Sequence, residues 1–142
     1  MGHLKYLLDT NILSEVAKQE PNESVTQHLK EYDGQYGTAA IVWHEMLYGY
    51  ELLVESKRKQ RLQSFLTMLS RTSLIILPYD QSAAICYAKE RARLQSQGLT
   101  CGYADGEIAS IAVSQNLTLV TRNTDDFKNF HGLSLQNWFE SP

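Results

Sequence analysis

Short apolar runs alternate with longer stretches of helical periodicity along almost the whole chain. The runs have the length of strands, and most are followed by a segment whose apolar residues recur every three or four positions. The predicted strands cover residues 4–8, 36–40, 73–77, 117–121 and 133–135, and the apolar run 73–77 is expected to be a buried strand. The predicted helices cover residues 12–18, 25–32, 41–53, 62–69, 80–93, 105–115 and 126–130. This alternation predicts a three-layer α/β domain in which helices cover both faces of a central parallel sheet.

Length and composition limit the class of protein further. The 142 residues suit one compact domain over residues 1–142, and a hydrophobic content of 43% is enough for a core. No apolar run approaches the ~18 residues of a membrane span, and no signal-peptide pattern opens the chain, so we expect a cytoplasmic protein. Cys86 and Cys101 show no disulfide pattern. The net charge of −3 leaves an RNA partner open, and local charge must decide.

Acidic residues follow several of the predicted strands. In an open parallel sheet, ligands bind beyond the carboxyl ends of the strands. Asp9 directly follows the first strand and could also cap the next helix. Asp105 opens a predicted helix, either as its cap or with its side chain on the apolar face beside Ile108. Asp125 and Asp126 follow the strand 117–121. Asp126 is the better candidate for facing the site, because it shares a helix face with Phe130.

Glu45 lies within a helical stretch and shares a face with Ile41, Tyr48 and Leu52. A carboxylate in an apolar stripe is costly to bury unless a cation or strong donors meet it. Either a partner arginine or a metal ion would meet that need. His44 and Glu45 begin a zinc-protease motif, but Tyr48 stands where its second histidine is required, so zinc is not expected.

These acids are expected to converge at one end of the sheet. Negative charges so close together repel one another and require a cation. A cluster of oxygen ligands without histidine or cysteine suits Mg²⁺ or Mn²⁺, and such ions orient phosphodiesters, activate water and stabilise the leaving oxygen. The residues therefore predict a metal-dependent nuclease with Asp9, Glu45, Asp105 and Asp126 as catalytic candidates.

The chain resembles PIN-domain ribonucleases and, among these, the VapC-family toxins of type II toxin–antitoxin systems. The resemblance rests on blocks that stand in the same order over nearly the whole chain. They are Leu-Leu-Asp-Thr-Asn-Ile-Leu at 7–13, Glu-Met-Leu-Tyr-Gly at 45–49, the segment 98–109, and Leu-Val-Thr-Arg-Asn-Thr-Asp-Asp-Phe at 119–127 with the following 132–133 and 137–138.

The resemblance implies an endoribonuclease that is held inactive by a cognate VapB-like antitoxin, whose C-terminal segment lies across the active site. It implies that Asp9 and Asp105 are the main ligands of Mg²⁺ or Mn²⁺ and that Glu45 is an acidic partner. Many relatives have an aspartate where this chain has Asn123. Two alternatives follow: Asp126 takes over the role of that aspartate, or a second metal ion binds weakly.

Other residues are expected to support catalysis or binding. Asn11 and Thr121 would hydrogen-bond the metal ligands or the attacking water, and Asn123 would lie beside them. Arg122 is the preferred contact to the substrate or the transition state. Two cationic clusters, at 57–61 and 89–93, are further candidates for RNA, although the first is expected to be a solvated helix face.

A homodimer is also expected by resemblance. Trp43 and Tyr50 could serve its interface or belong to the core.

The working hypothesis is in-line attack of activated water on an RNA phosphodiester, which leaves a 5′-phosphate and a 3′-hydroxyl. Two alternatives remain. One is a PIN-like domain that binds RNA or a partner without cutting, which the Asn123 departure allows. The other is a Mg²⁺-binding phosphoacceptor signalling domain. That class requires adjacent acids after the first strand, and Asp9-Thr10-Asn11 lacks the second acid. It also requires a lysine after a late strand, where Arg122 stands instead.

Overall fold

The computed structural model describes residues 4–140, which form a five-stranded parallel sheet flanked by six helices. The strand order is β3-β2-β1-β4-β5, with every neighbouring pair parallel. The strands are β1 (Tyr6–Leu8), β2 (Tyr36–Ala39), β3 (Ile75–Leu77), β4 (Thr118–Val120) and β5 (Ser134–Gln136). The predicted α/β class and parallel sheet are confirmed. The expectations about the first residues, Met1–His3, lie outside the described residues.

The chain starts in the middle of the sheet, at β1, and winds outwards in both directions. Helices connect these parallel strands, and such crossovers are right-handed in nearly all proteins. The helices are α1 (Thr10–Val16), α2 (Glu23–Glu31), α3 (Ala40–Leu52), α4 (Lys57–Arg71), α5 (Gln81–Ser96) and α6 (Tyr103–Ser114), with a short 3₁₀ helix at Thr124–Phe127. The chain runs from β1 to β2 and β3 on one side and then returns to β4 and β5 on the other side of β1. Ligands bind at such a reversal of strand order, so the carboxyl ends of β1 and β4 mark the expected binding edge.

Local sequence signals explain several helix boundaries. Asp80 caps α5 by accepting a hydrogen bond from the backbone N–H of Ala83. Gly98 follows the end of α5 with a φ of +72°, the left-handed conformation that glycine adopts most easily. Ser56 caps α4, accepting from the backbone N–H of Lys59. The helix predicted for residues 62–69 therefore begins earlier, and the charged residues 57–61 are its first residues.

The strand β3 differs from its prediction as a buried strand. Ile75 and Ile76 are 48% and 39% exposed in the chain described here. The reason is topological, because β3 pairs only with β2 and lies at the edge of the sheet.

The core fills the space between the sheet and the helices. Trp138 is buried and stacks on the rings of His28 and Tyr32, which attaches the C-terminal segment to α2. Trp43 and Tyr50 are partly buried and pack against this core, so the core alternative describes them better than a free surface. Among the described helices, none is long and apolar enough to cross a membrane.

Candidate functional site

Asp9 and Thr121 lie together at the carboxyl ends of β1 and β4. The two strands are in register there, with Leu8 opposite Val120, so the residues that follow are side by side. The Thr121 hydroxyl donates to Asp9 Oδ2 at 2.9 Å, and the Thr10 backbone N–H donates to Asp9 Oδ1 at 2.7 Å. Asp9 is therefore the cap of α1 and also a member of the site.

The turn after β4 is bound to the start of α1 through side chains. Asn11 Nδ2 and the Asn123 backbone N–H both donate to Thr121 Oγ1, at 3.2 and 3.1 Å. Asn11 Oδ1 accepts from the Arg122 backbone N–H at 3.0 Å. Because the buried Thr121 hydroxyl accepts from two groups, its own proton is directed at Asp9. The predicted supporting roles of Asn11 and Thr121 thus have a geometric basis.

Asp105 comes to the site from the first turn of α6. It is the third residue of that helix, and Gly102 occupies the cap position. The interpretation of Asp105 as a helix cap is therefore wrong. Its carboxylate lines a cavity of about 620 Å³ together with Asp9, Glu45, Arg122 and other residues.

The electrostatics of the site are unfavourable for negative charge. Burial raises the pKa of Asp9, against the lowering effect of the donors Thr10 and Thr121, and the charge of Asp126 raises it further. Burial also raises the pKa of Asp105, with added repulsion from Asp9 and Asp126. Within residues 4–140, neither carboxylate has a lysine, arginine or histidine in ion-pair contact. Asp9 and Asp105 therefore lie in the site without a protein cation in ion-pair contact, although Lys18 and Arg122 also line the cavity.

Glu45 lines the cavity but does not have the environment that we expected. It is exposed, and Tyr48 and Leu52 on its face are 55% and 66% exposed, whereas Val42 and Met46 form the buried face of α3. The expectations of a buried carboxylate and of an arginine partner are both wrong for the described residues. Glu45 is instead a solvent-accessible acid at the rim of the site.

Asp126 lies near the cavity without lining it. It is exposed on the 3₁₀ helix, anchored by the buried Phe127 and Phe130. Its charge raises the pKa of Asp9 and of Asp105, and its assignment as a catalytic residue stays a prediction.

Arg122 and Asn123 both line the cavity and are exposed. The Arg122 guanidinium lies over the ring of Phe139, 4.3 Å from its centroid. Cation–π stacking restricts the side chain and leaves its N–H groups available at the cavity. Phe139 was missed at the sequence level, because nothing in the local sequence Trp138-Phe139 indicates a contact with Arg122.

A second feature that the sequence did not indicate holds the segment after the 3₁₀ helix. Arg93 donates to both carboxylate oxygens of Glu90, at 2.7 and 2.6 Å, and to the carbonyl of Asn129 at 2.7 Å. The backbone N–H of His131 also donates to Glu90. These bonds attach the segment that carries Asp126 to α5. Arg93 is therefore not a free cation of the cluster 89–93, and Arg91 contacts the Tyr103 ring and hydroxyl.

The donor set fits a hard divalent cation. In the described part of the chain, no three His, Cys, Asp or Glu side chains form a metal-binding group. Mg²⁺, however, is usually held by one or two carboxylates, with waters and substrate phosphates completing its coordination. Asp9 and Asp105 are two such carboxylates on one cavity, and a cation there would relieve the repulsion that raises their pKa values.

Comparison with known proteins places this architecture in a family. The PIN domain family model matches residues 6–133. The chain is 35% identical to Ribonuclease VapC2 of Rickettsia felis, over 94% of this chain and 97% of that protein. It is 32% identical to the tRNA(fMet)-specific endonuclease VapC of Shigella flexneri, over 95% of this chain and 98% of that protein.

A solved structure gives the same relationship. The toxin–antitoxin complex VapBC2 of Rickettsia felis, bound to a DNA fragment from its promoter, contains a chain that is 34% identical, with a TM-score of 0.81. The match covers 95% of this chain and 99% of that one. The phosphoacceptor alternative does not agree with these matches. The chain belongs to the PIN-domain family and, within it, to the VapC-type ribonuclease toxins.

Proposed function

We propose that this chain is an endoribonuclease that depends on Mg²⁺ or Mn²⁺ and acts as the toxin of a toxin–antitoxin pair. The observation that carries the proposal is the pair Asp9 and Asp105, two carboxylates on one cavity with raised pKa values and, within residues 4–140, no ion pair to a protein cation. The ribonuclease and tRNA-endonuclease names of the full-length relatives support RNA as the substrate class.

Each residue of the site has a role that follows from its position. Asp9 and Asp105 hold the ion, and Thr121 orients Asp9 by donating to Oδ2. When bound, the ion activates water and neutralises charge on the phosphodiester. Glu45, exposed at the rim, positions the attacking water, and Asp126 adds negative charge where Asn123 carries none. The products are a 5′-phosphate and a 3′-hydroxyl.

Arg122 contacts the substrate phosphate. Its guanidinium is held over Phe139 at the mouth of the cavity and is planar, which suits bidentate contact with phosphate oxygens. In the hydrolysis step, this contact stabilises charge on the non-bridging oxygens while the bond to the leaving 3′-oxygen breaks.

Partners follow from the same assignment. A VapB-like antitoxin inhibits the enzyme by placing its C-terminal segment across the acidic cavity, and the published complex of the Rickettsia felis relative supports this pairing. We also propose a homodimer, and the RNA substrate places the activity in the cytoplasm.

The test is cleavage of pooled cellular RNA by purified protein freed of antitoxin. We expect discrete fragments with Mg²⁺ or Mn²⁺, none with EDTA, and a rate lowered more than about 100-fold by Asp105→Asn. Glu107→Gln is the matched control, since Glu107 is on the same helix but does not line the cavity, and it should cut normally. Metal-dependent cleavage by Asp105→Asn at the normal rate would refute the assignment of that ligand.

The second candidate function is a PIN-like domain that binds RNA or a partner without cutting. The observation that favours it is Asn123, which lines the cavity where many relatives have an acid. RNA binding without any fragments would support this candidate. Asn123→Asp would then be the variant expected to restore cleavage.

A further inference from the structure

The acidic cavity continues into a groove between α1 and α4. A second cavity of about 340 Å³ shares Thr10, Ser14, Lys18 and Glu45 with the acidic one. That second cavity shares Ala17, Lys18 and Arg61 with a third depression, which reaches Lys57. We call the second and third cavities together the α1–α4 groove. It gives an open path from Asp9 to the start of α4.

Cations without carboxylate partners line the far part of this groove. Lys57, Arg58 and Arg61 have no ion pair within the described residues, although all three line it. Two neighbouring lysines differ, since Lys18 pairs with Glu15 at 2.9 Å and Lys59 with Glu55 at 3.6 Å.

The acids facing the groove are few and lie at its inner end. Glu45 is at the junction with the acidic cavity, and Glu15 is engaged by Lys18 and by the backbone N–H of Asn22. Charge along the path therefore changes from acidic at Asp9 to basic at Arg58 and Arg61.

The position of these cations favours a ligand contact over a merely solvated helix face. Lys57 and Arg58 occupy the first turn of α4, which contains no acidic residue. The helix macrodipole favours acids at this end and disfavours cations, so these two charges do not stabilise the helix.

The lining also indicates what part of a ligand is contacted. In residues 4–140, the side chains that line the α1–α4 groove include no aromatic ring. Base stacking is thus not available there, whereas Arg and Lys suit phosphates.

We propose that the α1–α4 groove binds the sugar–phosphate backbone of the RNA strand whose scissile phosphate lies in the acidic cavity. This inference rests on the proposed function. Lys57, Arg58 and Arg61 contact phosphates several nucleotides from the cut, so they contribute affinity without reading sequence.

The experiment measures binding of a fluorescent single-stranded RNA oligonucleotide to Asp105→Asn protein, which does not cut, at a series of salt concentrations. The double variant Arg58→Gln/Arg61→Gln is compared with Lys5→Gln/Arg71→Gln, which removes the same charge from exposed residues outside the groove. For two lost phosphate contacts, we expect the slope of log affinity against log salt to become less negative by about 1.4. The control pair should keep the parent slope.

Cleavage by the same pairs, with Asp105 intact, separates this proposal from the proposed function. We expect a KM raised about 10-fold with kcat little changed for the groove pair, because the acidic cavity is untouched. If both double variants gave the same salt slope and still cleaved RNA, the proposal that the groove binds RNA would be refuted, whereas the proposed nuclease function would not. If the groove double variant bound RNA normally but no longer bound an acidic peptide, the groove would bind a protein partner and the proposal would be refuted. No RNA binding or cleavage by any variant would overturn both proposals.

Discussion

At the scale of single residues, the acids of the site lower the stability of the folded state when no cation is bound. Asp9 is 7% exposed and Asp105 half-buried, and burial together with repulsion from Asp126 raises both pKa values. Hydrogen bonds from Thr10 and Thr121 offset part of the rise in the pKa of Asp9, and Asp105 has no such donors among the described residues. Without a bound cation, ionisation of Asp105 therefore opposes folding.

We predict that Asp105→Asn stabilises the protein in EDTA at neutral pH. A carboxyl whose folded pKa is raised contributes stability below its unfolded pKa, and that contribution is lost as the pH rises through the folded pKa. Asparagine stays neutral, so the melting temperature of the variant should exceed that of the wild type at pH 7, by roughly 2–4 °C for each kcal/mol relieved. The difference should shrink below about pH 4. Thermal melts from acid to neutral pH measure it.

Addition of Mg²⁺ should reverse the order. Wild-type protein gains stability from an ion that binds only the folded state, and Asp105→Asn gains less. Glu107→Gln should not show the gain in EDTA, because its side chain is outside the cavity. A melting temperature of Asp105→Asn at or below that of the wild type throughout would contradict the electrostatic account.

Sequence reasoning at this scale succeeded where the backbone dictates the position. Asp9 had to lie at the binding edge because it directly follows a central strand. Glu45 shows the limit of such reasoning. Helical periodicity identified the residues that share its face, but the face that the sheet buries, with Val42 and Met46, depends on how α3 packs. Phe139 under Arg122 required the complete fold.

At the scale of elements, α5 fixes the position of α6 and therefore of Asp105. Tyr87 of α5 is buried and packs directly on Gly106, the residue after Asp105. A Cβ at Gly106 would lie 2.1 Å from Tyr87 Cζ, closer than any real contact. The same helix attaches the segment after Asp126 through Glu90 and Arg93. One helix thus positions two acids of the site.

We predict that Gly106→Ala destabilises the protein by about 1–2 kcal/mol. Displacement of the buried Tyr87 ring costs roughly 1–3 kcal/mol, and the better helix propensity of alanine returns up to about 1 kcal/mol. Urea denaturation measures the free energy of unfolding, and cleavage should fall as Asp105 shifts.

Gly49→Ala is the matched control for this packing. Gly49 is also within a helix, α3, but a Cβ there meets nothing within 4 Å. Alanine at 49 should stabilise the protein by about 0.5–1 kcal/mol, because only helix propensity changes. If both variants raised stability, the contact between Tyr87 and Gly106 would not constrain α6.

At the scale of the whole molecule, the topology was predictable from the alternation of strands and helices, but the exposed surface was not. Composition indicates that 73–77 is a strand, and its apolar residues suggested burial. Whether a strand is buried depends on its place in the order β3-β2-β1-β4-β5, which the local pattern of residues does not encode. At the sheet edge, the same side chains of β3 become a surface.

This surface extends beyond the edge strand. Ile85 of α5 is 51% exposed, and Tyr79 lies near both Cys86 and Tyr103. Exposed apolar side chains beside an unpaired strand edge favour association and are commonly covered in an assembly. We predict that the protein is a two-fold dimer that covers β3 and the start of α5, since one such patch on each protomer is self-complementary across a two-fold axis.

Sedimentation velocity of antitoxin-free protein tests this assembly. Ile85→Glu should give monomers, because a charge buried at an apolar interface has no partner there. Val54→Glu is the control, since Val54 is also exposed but lies in the turn between α3 and α4, outside β3 and α5, and the variant should remain dimeric. Equal dissociation by both variants would show that charge alone, and not this surface, controls association. A wild-type monomer at all concentrations would contradict the dimer itself and leave the apolar edge to another partner.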